Sequence, residues 1–271
     1  MHPTLCAVFI LLGALAVGAQ DSLQVRLNQS PRHQEWVKIP SGDRQLQAFL
    51  VFPEVAERAQ AVILIHENRG LTDWVRGVAD RLAEAGYIAL APDLLSGTGP
   101  GGGGTDSFAS QDSARQAIYR LPPAQVSADL NAAADYLAKL PAADGRVAVA
   151  GFCWGGARAF GFAAERPGLA AAYVFYGTSP DSAAVLARIN CPVYGFYGGN
   201  DARVNATIPA AAEGMRVAGK IYEPVTYEGA GHGFLRAGEA TDASPADRQA
   251  RAAAWSRWLG LLAARPGGGG H

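Results

Sequence analysis

Short runs of apolar residues alternate along this chain with longer, alanine-rich segments in which apolar positions recur at helical spacing. Apolar runs of about four to eight residues, bounded by Gly, Pro or polar residues, are typical of strands buried on both faces, and recurrence about every three to four residues is typical of amphipathic helices. Their alternation predicts the α/β class, with a mostly parallel sheet of about seven or eight strands and helices on both faces.

The individual elements follow from these runs. The candidate strands are residues 35–39, 46–52, 61–66, 87–91, 146–150, 172–176, 193–197 and 221–227. The candidate helices are residues 73–85, 111–120, 123–140, 154–165, 205–218 and 245–264. The first two strands follow each other closely, so we expect them to form an antiparallel hairpin at one edge of the sheet.

The two ends of the chain differ from the rest. Residues 5–17 form an apolar run that is shorter than the roughly 20 residues of a bilayer-spanning helix. Val17-Gly18-Ala19 at its end could form a cleavage site, so we expect residues 1–19 to be a cleaved signal peptide of an exported protein, periplasmic or secreted. An uncleaved N-terminal anchor is the alternative. Residues 20–265 then form one α/β domain, and the glycine-rich residues 266–271 form a disordered tail.

Residues 96–106 form a glycine-rich connection that contains Gly99, Pro100 and four further glycines at positions 101–104. A connection between a strand end and the next helix lies beside the active face of an α/β sheet. The segment is therefore interpreted either as a mobile flap or as a low-complexity insertion without function.

Composition narrows the possible partners. Of the 271 residues, 49% are hydrophobic and 17% are charged, as in a globular protein, and the formal net charge is -1. Without an excess of positive charge, neither nucleic acid nor an anionic membrane surface is expected as a partner, which leaves small molecules. The five histidines are scattered and no Cys-x-x-Cys pair occurs, so no metal site and no cofactor are predicted. We expect a monomer that is free of membranes after signal cleavage.

The most informative stretch is Gly151-Phe152-Cys153-Trp154-Gly155, between an apolar strand and an alanine-rich helix. Glycines two positions before and after the central residue permit the strained turn of a nucleophile elbow, where α/β-hydrolases usually carry Ser. A thiol at a helix N-terminus lies at the positive end of the helix dipole, which favours the thiolate. The backbone N–H of Trp154 would point at a developing oxyanion. A small buried cysteine in a glycine-rich turn is the structural alternative.

Two further polar residues follow later strands. Asp201 comes after strand 193–197 and a Gly-Gly-Asn turn, and His232 lies between glycines after strand 221–227. Nucleophile, acid and histidine thus occur in the chain order of an α/β-hydrolase triad, each at the carboxyl end of a strand. His232 would accept the thiol proton, and Asp201 would orient the imidazole. Taken singly, Asp201 could be a turn residue and His232 a loop hydrogen-bonder.

Glu67 follows the apolar strand 61–66 and should lie at the same edge of the sheet. Hydrolases of this fold take the second backbone donor of the oxyanion hole from this connection, so the N–H of Asn68 is predicted for that role. Glu67 could accept the thiol proton or hold it through a hydrogen bond. An ion pair with the neighbouring Arg69 is the structural alternative.

Five segments together resemble the dienelactone hydrolase family over residues 35–262. They are IHENRG at 65–70, PDL at 92–94, GFCWGG at 151–156, GGND at 198–201 and GHGF at 231–234. The resemblance implies that Cys153 is the nucleophile and that His232 and Asp201 complete the triad. It also implies that Glu67 activates the thiol when substrate binds.

The same resemblance implies how a substrate carboxylate is held. In the family two arginines bind it, one of them four positions after the triad histidine, which corresponds to Arg236. The other lies on a lid helix with a tyrosine four residues later, a spacing that Arg115 and Tyr119 match. We therefore expect these three side chains to contact the substrate.

The residues predict a hydrolase that cleaves a small lactone or carboxylic ester through a thioester on Cys153, and the resemblance implies the carboxymethylenebutenolidase type. The alternatives are a thiol that binds carbonyl compounds or is oxidised without turnover, and a serine-type esterase that tolerates cysteine.

No disulfide is expected between Cys153 and Cys191. Cys191 begins one parallel strand and Cys153 lies beyond the end of another, so the rise of a strand places them roughly 20 Å apart.

Overall fold

An eight-stranded sheet forms the centre of the computed structural model, which describes residues 23–264. The strands are β1 Gln34–Ser41, β2 Arg44–Val51, β3 Ala59–Ile65, β4 Ile88–Pro92, β5 Ala143–Phe152, β6 Leu169–Phe175, β7 Val193–Gly198 and β8 Tyr222–Tyr227. Across the sheet their order is β1-β2-β4-β3-β5-β6-β7-β8. β2 pairs antiparallel with β1 and with β4, and all other neighbours are parallel. The predicted α/β class and the predicted edge hairpin are therefore confirmed.

Helices cover both faces of this sheet. They are α1, which includes residues 23–28, α2 Asp73–Glu84, α3 Gln111–Arg120, α4 Pro123–Ala138, α5 Trp154–Glu165, α6 Ala183–Ala187, α7 Ala202–Asn205, α8 Ile208–Val217, α9 Phe234–Ala237 and α10 Pro245–Ala263. Within β3, Ile63 and Ile65 pack on the side of α4, α5 and α8, whereas Val62 and Leu64 pack on the side of α2 and α10. This alternation explains why β3 is apolar at nearly every position. Among the helices of residues 23–264, none is long and apolar enough to cross a bilayer.

One predicted helix is interrupted in the structure. Residues 205–218 were expected to be continuous, but α7 ends at Asn205 and α8 begins at Ile208. Pro209 has no backbone N–H and is tolerated only in the first turn of a helix, so a new helix has to begin just before it. Thr207 lies at the break, and its hydroxyl donates to the carbonyl oxygen of Val204 over 2.7 Å. The break leaves α7 as a separate turn directly after Asp201.

The glycine-rich connection is folded against the sheet. The carboxylate of Asp93, just after β4, accepts hydrogen bonds from the N–H and the hydroxyl of Thr105, each 2.7 Å long. The same hydroxyl oxygen accepts from the N–H of Leu71 over 2.9 Å. Within the described chain, none of residues 96–107 lines the cavity at Cys153, so the flap interpretation gains no support from this position.

The two terminal predictions concern residues that the structure does not describe. The signal peptide at residues 1–19 and the tail at residues 266–271 lie outside residues 23–264. Both stay predictions, as does the exported location that depends on the first of them.

Candidate active site

Cys153 lies at a sharp turn between β5 and α5. Its backbone has φ 56° and ψ -114°, a left-handed conformation that is strained for a residue with a side chain. The turn requires glycine on both sides of it, because a side chain at either position would meet backbone atoms. A Cβ at Gly151 would lie 2.0 Å from the carbonyl oxygen of Gly155, and a Cβ at Gly155 would lie 2.3 Å from that of Ile65. The N–H of Cys153 donates to the carbonyl oxygen of Phe175 on β6 over 3.0 Å, which holds the turn in the sheet.

The three predicted triad side chains form a continuous hydrogen-bonded chain. His232 Nε2 lies 3.1 Å from Cys153 Sγ, and His232 Nδ1 lies 2.5 Å from Asp201 Oδ2. The other carboxylate oxygen of Asp201 accepts from the N–H of Val204 and caps α7. Asp201 is buried, so both of its oxygens are held in place while it orients the imidazole. This arrangement can remove a proton from the thiol and return one to a leaving group.

The environment of His232 raises its pKa to about 9. The largest cause is the hydrogen bond with Cys153; burial opposes it, and the hydrogen bond and charge of Asp201 add to it. The raised pKa favours a protonated imidazole beside the sulfur at neutral pH. Because the folded-state pKa is raised, the resulting stabilisation is complete below pH 6.5, the ordinary pKa of histidine, and is lost as the pH rises through about 9.

We expect Cys153→Ala to lower the pKa of His232, because it removes the largest cause of the rise while Asp201 stays in place. An NMR titration of the His232 ring would measure both proteins. The midpoint should be near pH 9 in the wild type and clearly lower in the variant. Equal midpoints would mean that the sulfur does not interact with the imidazole as the 3.1 Å contact indicates.

Two predicted backbone donors border the same cavity. Trp154 is the first residue of α5, where helical N–H groups have no acceptor within the helix, and Asn68 follows β3. The side-chain amide of Asn68 donates to the hydroxyl of Tyr119 over 3.3 Å. Both residues lie beside Cys153 in the cavity wall, because β3 and β5, which they follow, are adjacent strands. Their backbone N–H groups are therefore available to bind an oxyanion formed at a carbonyl attacked by the sulfur.

His66 supports this side of the site and was not predicted to have a role. Its ring is fully buried, with Nδ1 2.8 Å from the carbonyl oxygen of Glu67 and Nε2 3.3 Å from the N–H of Leu94. Burial lowers the pKa of His66, so the neutral ring can donate from Nδ1 and accept at Nε2. The ring also stacks on Trp154 with centroids 5.6 Å apart. In the sequence, its position between an apolar strand and Glu67 was the signal that could have indicated this supporting role.

Glu67 is paired with Arg236 rather than with Arg69. Arg236 Nε donates to Glu67 Oε2 over 2.8 Å, and Glu67 is 4% exposed. The structure therefore contradicts the alternative of a pair with Arg69. The partner of Glu67 is instead 169 residues away in the sequence. A carboxylate this deeply buried requires such a partner. The pair joins the segment that carries Asn68 to α9, which follows His232.

A cavity of about 670 Å³ opens above Cys153. Of the predicted substrate contacts, Tyr119 lines it and is 63% exposed. Arg115 is exposed, lies 3.1 Å from Asp112 and is not part of the cavity wall; Arg236 is not part of the wall either. The structure thus brings Tyr119 to the cavity and leaves Arg115 away from it. Arg236 does not line the cavity, but its charge interacts with those of Cys153 and Tyr176, which do.

Tyr176, Arg158 and Arg203 also line the cavity and were not predicted from the sequence. Tyr176 follows β6 with a φ of 41°, its ring meets that of His232 at 5.3 Å, and its buried hydroxyl has no hydrogen-bond partner within residues 23–264. Burial raises the pKa of Tyr176 well above its ordinary value. Arg158 lies one turn into α5 and Arg203 lies two residues after Asp201, positions that a triad motif does not mark.

The fold and this geometry are those of an α/β-hydrolase: a strained turn after a central strand carries Cys153, and Asp201 and His232 follow later strands. The chain belongs to the dienelactone hydrolase family, whose sequence pattern matches residues 46–265. It is therefore a hydrolase of the class that acts on carboxylic esters and lactones, and the predicted class of enzyme is confirmed.

Individual relatives support this assignment. A protein of Methylorubrum extorquens named "Putative carboxymethylenebutenolidase" is 34% identical over 209 residues, which cover 73% of this chain and 71% of the relative. A Bradyrhizobium protein named "Probable 2-oxo-3-(5-oxofuran-2-ylidene)propanoate lactonase" is 30% identical over 213 residues, 74% of this chain and 83% of that protein. Among solved structures, a "Putative Dienelactone Hydrolase" from Klebsiella pneumoniae superimposes with a TM-score of 0.75 at 27% identity, covering 86% of this chain and 98% of the other.

Proposed function

We propose that this enzyme hydrolyses small carboxylic esters or lactones through a thioester on Cys153. The observation that carries the proposal is the unbroken chain from Cys153 Sγ through His232 to Asp201, with contacts of 3.1 and 2.5 Å. A sulfur that served only as a redox sensor would not require an ordered histidine and carboxylate. The names of the lactonase and carboxymethylenebutenolidase relatives point in the same direction.

The reaction has two steps. The sulfur of Cys153 attacks the carbonyl carbon, and the negative charge on the carbonyl oxygen is bound by the N–H groups of Asn68 and Trp154. When the bond to the alcohol oxygen breaks, the imidazolium of His232 protonates that oxygen. Water then attacks the thioester while His232 accepts its proton, and collapse of this second oxyanion releases the acid and the sulfur.

Glu67 and Arg236 enter this proposal as a buried ion pair. By holding the segment after β3 against α9, the pair positions the N–H of Asn68 relative to His232. The role implied by the family resemblance, in which Glu67 activates the thiol when substrate binds, requires this 2.8 Å contact to open. Only the Nε of Arg236 donates to Glu67 and the side chain is 35% exposed, so its two Nη groups keep hydrogen atoms that a substrate carboxylate could accept.

Trapping of the acyl-enzyme tests the proposal. Wild-type protein mixed with an activated 4-nitrophenyl ester or a small lactone and quenched in acid should gain the mass of the acyl group on the peptide that contains Cys153. The adduct should be released by hydroxylamine, as a thioester is. In His232→Ala the adduct should form and decay far more slowly. If neither acylation at Cys153 nor turnover occurs with any ester or lactone, a non-catalytic thiol is the better interpretation.

A further inference from the structure

A second space of about 230 Å³, the side groove, adjoins the cavity at Cys153. Five residues from α4, α5 and the segment after β6 line both spaces: Pro123, Val126, Ala157, Arg158 and Thr178. Farther along α5, the wall of the groove alone includes Gly161, Phe162 and Glu165. Because a helix rises about 1.5 Å per residue, the groove follows α5 for roughly 12 Å beyond Ala157. It therefore leads away from the sulfur, toward a part of the substrate that does not react.

The floor of the side groove is apolar and fixed in shape. Val126 and Leu130 of α4 and Phe162 of α5 line it, and each is at most 3% exposed. All three belong to the hydrophobic core beneath these helices, where close packing holds side chains in place. Gly161 lies in the same wall, and a Cβ there would meet no atom within 4 Å. The groove is therefore open before a ligand binds, and an apolar ligand would remove its apolar surface from water.

The charged side chains of the side groove have opposite signs. Within residues 23–264 they are Arg158, which also lines the cavity at Cys153, and Glu165 at the far end. The guanidinium of Arg158 lies over the ring of Trp154, 5.7 Å from the ring centroid. The carboxylate of Glu165 is exposed and accepts a hydrogen bond from the hydroxyl of Ser127. The groove thus has no net charge, and Glu165 would repel an anionic group that reached the far end.

The acyl part of the substrate is the part that the side groove can receive. In the proposed reaction His232 protonates the alcohol oxygen, so the alcohol part lies at the imidazole. His232 lines the cavity at Cys153 but not the groove. The groove begins instead at Ala157, about one turn after Trp154, whose N–H binds the carbonyl oxygen in that reaction. An acyl chain can therefore run from the carbonyl carbon along α5.

We propose that the side groove binds a linear, uncharged acyl chain, so that the enzyme prefers esters of longer aliphatic acids to esters of short ones. This inference rests on the proposed function and specifies its substrate class. A volume of about 230 Å³ corresponds to roughly eight groups of the size of a water molecule, which occupies about 30 Å³ in the liquid. A chain of up to about eight carbon atoms therefore fits. Each methylene group that leaves water favours binding by up to about fourfold.

A series of esters with growing acyl chains tests the proposal. 4-Nitrophenyl butyrate, hexanoate and octanoate share one leaving group and differ only in chain length. In the wild type, kcat/KM should rise about tenfold or more from butyrate to octanoate, mainly through KM. Mono-4-nitrophenyl suberate has the chain length of the octanoate but ends in a carboxylate. Its kcat/KM should be about tenfold or more below that of the octanoate, because the charged end would meet Glu165 and lose its water.

Three leucine variants locate the chain. Gly161→Leu fills the groove from α5 and should lower kcat/KM for octanoate about tenfold, while butyrate changes by less than about twofold. Ser127→Leu narrows the far end from α4, so it should slow octanoate more than hexanoate and gives a result even if Gly161→Leu does not fold. Gly260→Leu is the matched control on α10, where a Cβ at this exposed glycine would also meet no atom within 4 Å. It should leave the ratio of octanoate to butyrate turnover unchanged.

No rise of kcat/KM with acyl chain length in the wild type would overturn the proposal, as would a preference for the suberate over the octanoate. Equal losses on butyrate and octanoate in Gly161→Leu, or the same losses in Gly260→Leu, would also overturn it. γ-Valerolactone and γ-decalactone differ in a chain on the alcohol part. If Gly161→Leu discriminates between these lactones but not between the acyl chains, the groove receives the alcohol part and the proposal is wrong.

The proposed function is tested separately by the shortest ester. Turnover of 4-nitrophenyl butyrate that depends on Cys153 would in each case leave the proposed hydrolase function standing. Absence of turnover with every ester and lactone would instead contradict the proposed function itself.

Discussion

Replacement of Cys153 by alanine is expected to lower kcat/KM for an ester or lactone substrate by about 10⁴-fold or more. Without the sulfur no thioester can form, and only the backbone donors of Asn68 and Trp154 and the cavity remain to favour the reaction. His232→Ala should cause a comparable loss, because within residues 23–264 His232 is the only side chain at hydrogen-bond distance from Cys153 Sγ. Since the two residues act as one unit, the double variant should be little slower than Cys153→Ala alone.

Cys191 provides the matched control for this experiment. It is the other free cysteine of residues 23–264, and burial raises the pKa of its thiol to about 12, so it is not a reactive group at neutral pH. Cys191→Ala should keep kcat/KM within about twofold while losing a little stability to a small core cavity. Cys153→Ser separates the remaining alternatives. Activity equal to that of the wild type would favour a serine-type esterase, and a large loss would favour a mechanism that depends on the sulfur.

The centre of the sheet could be predicted because its strands are buried on both faces. In β3 all seven residues are buried and only Gln60 is polar, so the sequence shows an apolar run that polar segments delimit. The short helices had no such signal. α7 is four residues long, and its first turn depends on Asp201 accepting from the N–H of Val204, a contact within a loop whose position the sheet determines. Helices this short form through tertiary contacts rather than through periodicity.

The contacts among Cys153, His232 and Asp201 could be predicted because each of these residues follows a strand, and parallel strands bring their carboxyl ends to one edge. The pairing of Glu67 could not, since its partner Arg236 is 169 residues away and Arg69 is the nearer cation in the sequence. Arg158 was missed for a related reason. On an alanine-rich helix an arginine is usually solvated, and only the packing of α5 beside Cys153 turns this one into the cavity.

The close contact between α5 and the end of β3 makes Gly155 sensitive to substitution. Gly155→Ala should lower the free energy of unfolding by about 3 kcal/mol or more, because overpacking against atoms that cannot move is among the costly core substitutions. An alanine Cβ at this position would lie 2.3 Å from the carbonyl oxygen of Ile65 and 2.4 Å from that of His66. Both are backbone atoms, so the helix or the segment after β3 has to shift. Since that segment carries Asn68, kcat/KM should also fall.

Gly161→Ala is the control that separates the clash at Gly155 from the effect of alanine on helix propensity. It lies on the same helix, and a Cβ there would meet no atom within 4 Å. Gly161→Ala should therefore raise the free energy of unfolding by about 0.5 to 1 kcal/mol, because alanine has the higher helix propensity and restricts the unfolded chain. In thermal unfolding, Tm should rise by roughly 1 to 4 °C for Gly161→Ala and fall by roughly 6 °C or more for Gly155→Ala. Shifts of the same sign and size would show that α5 does not contact β3 closely, and the nucleophile turn between them would then lack the support assigned to Gly155.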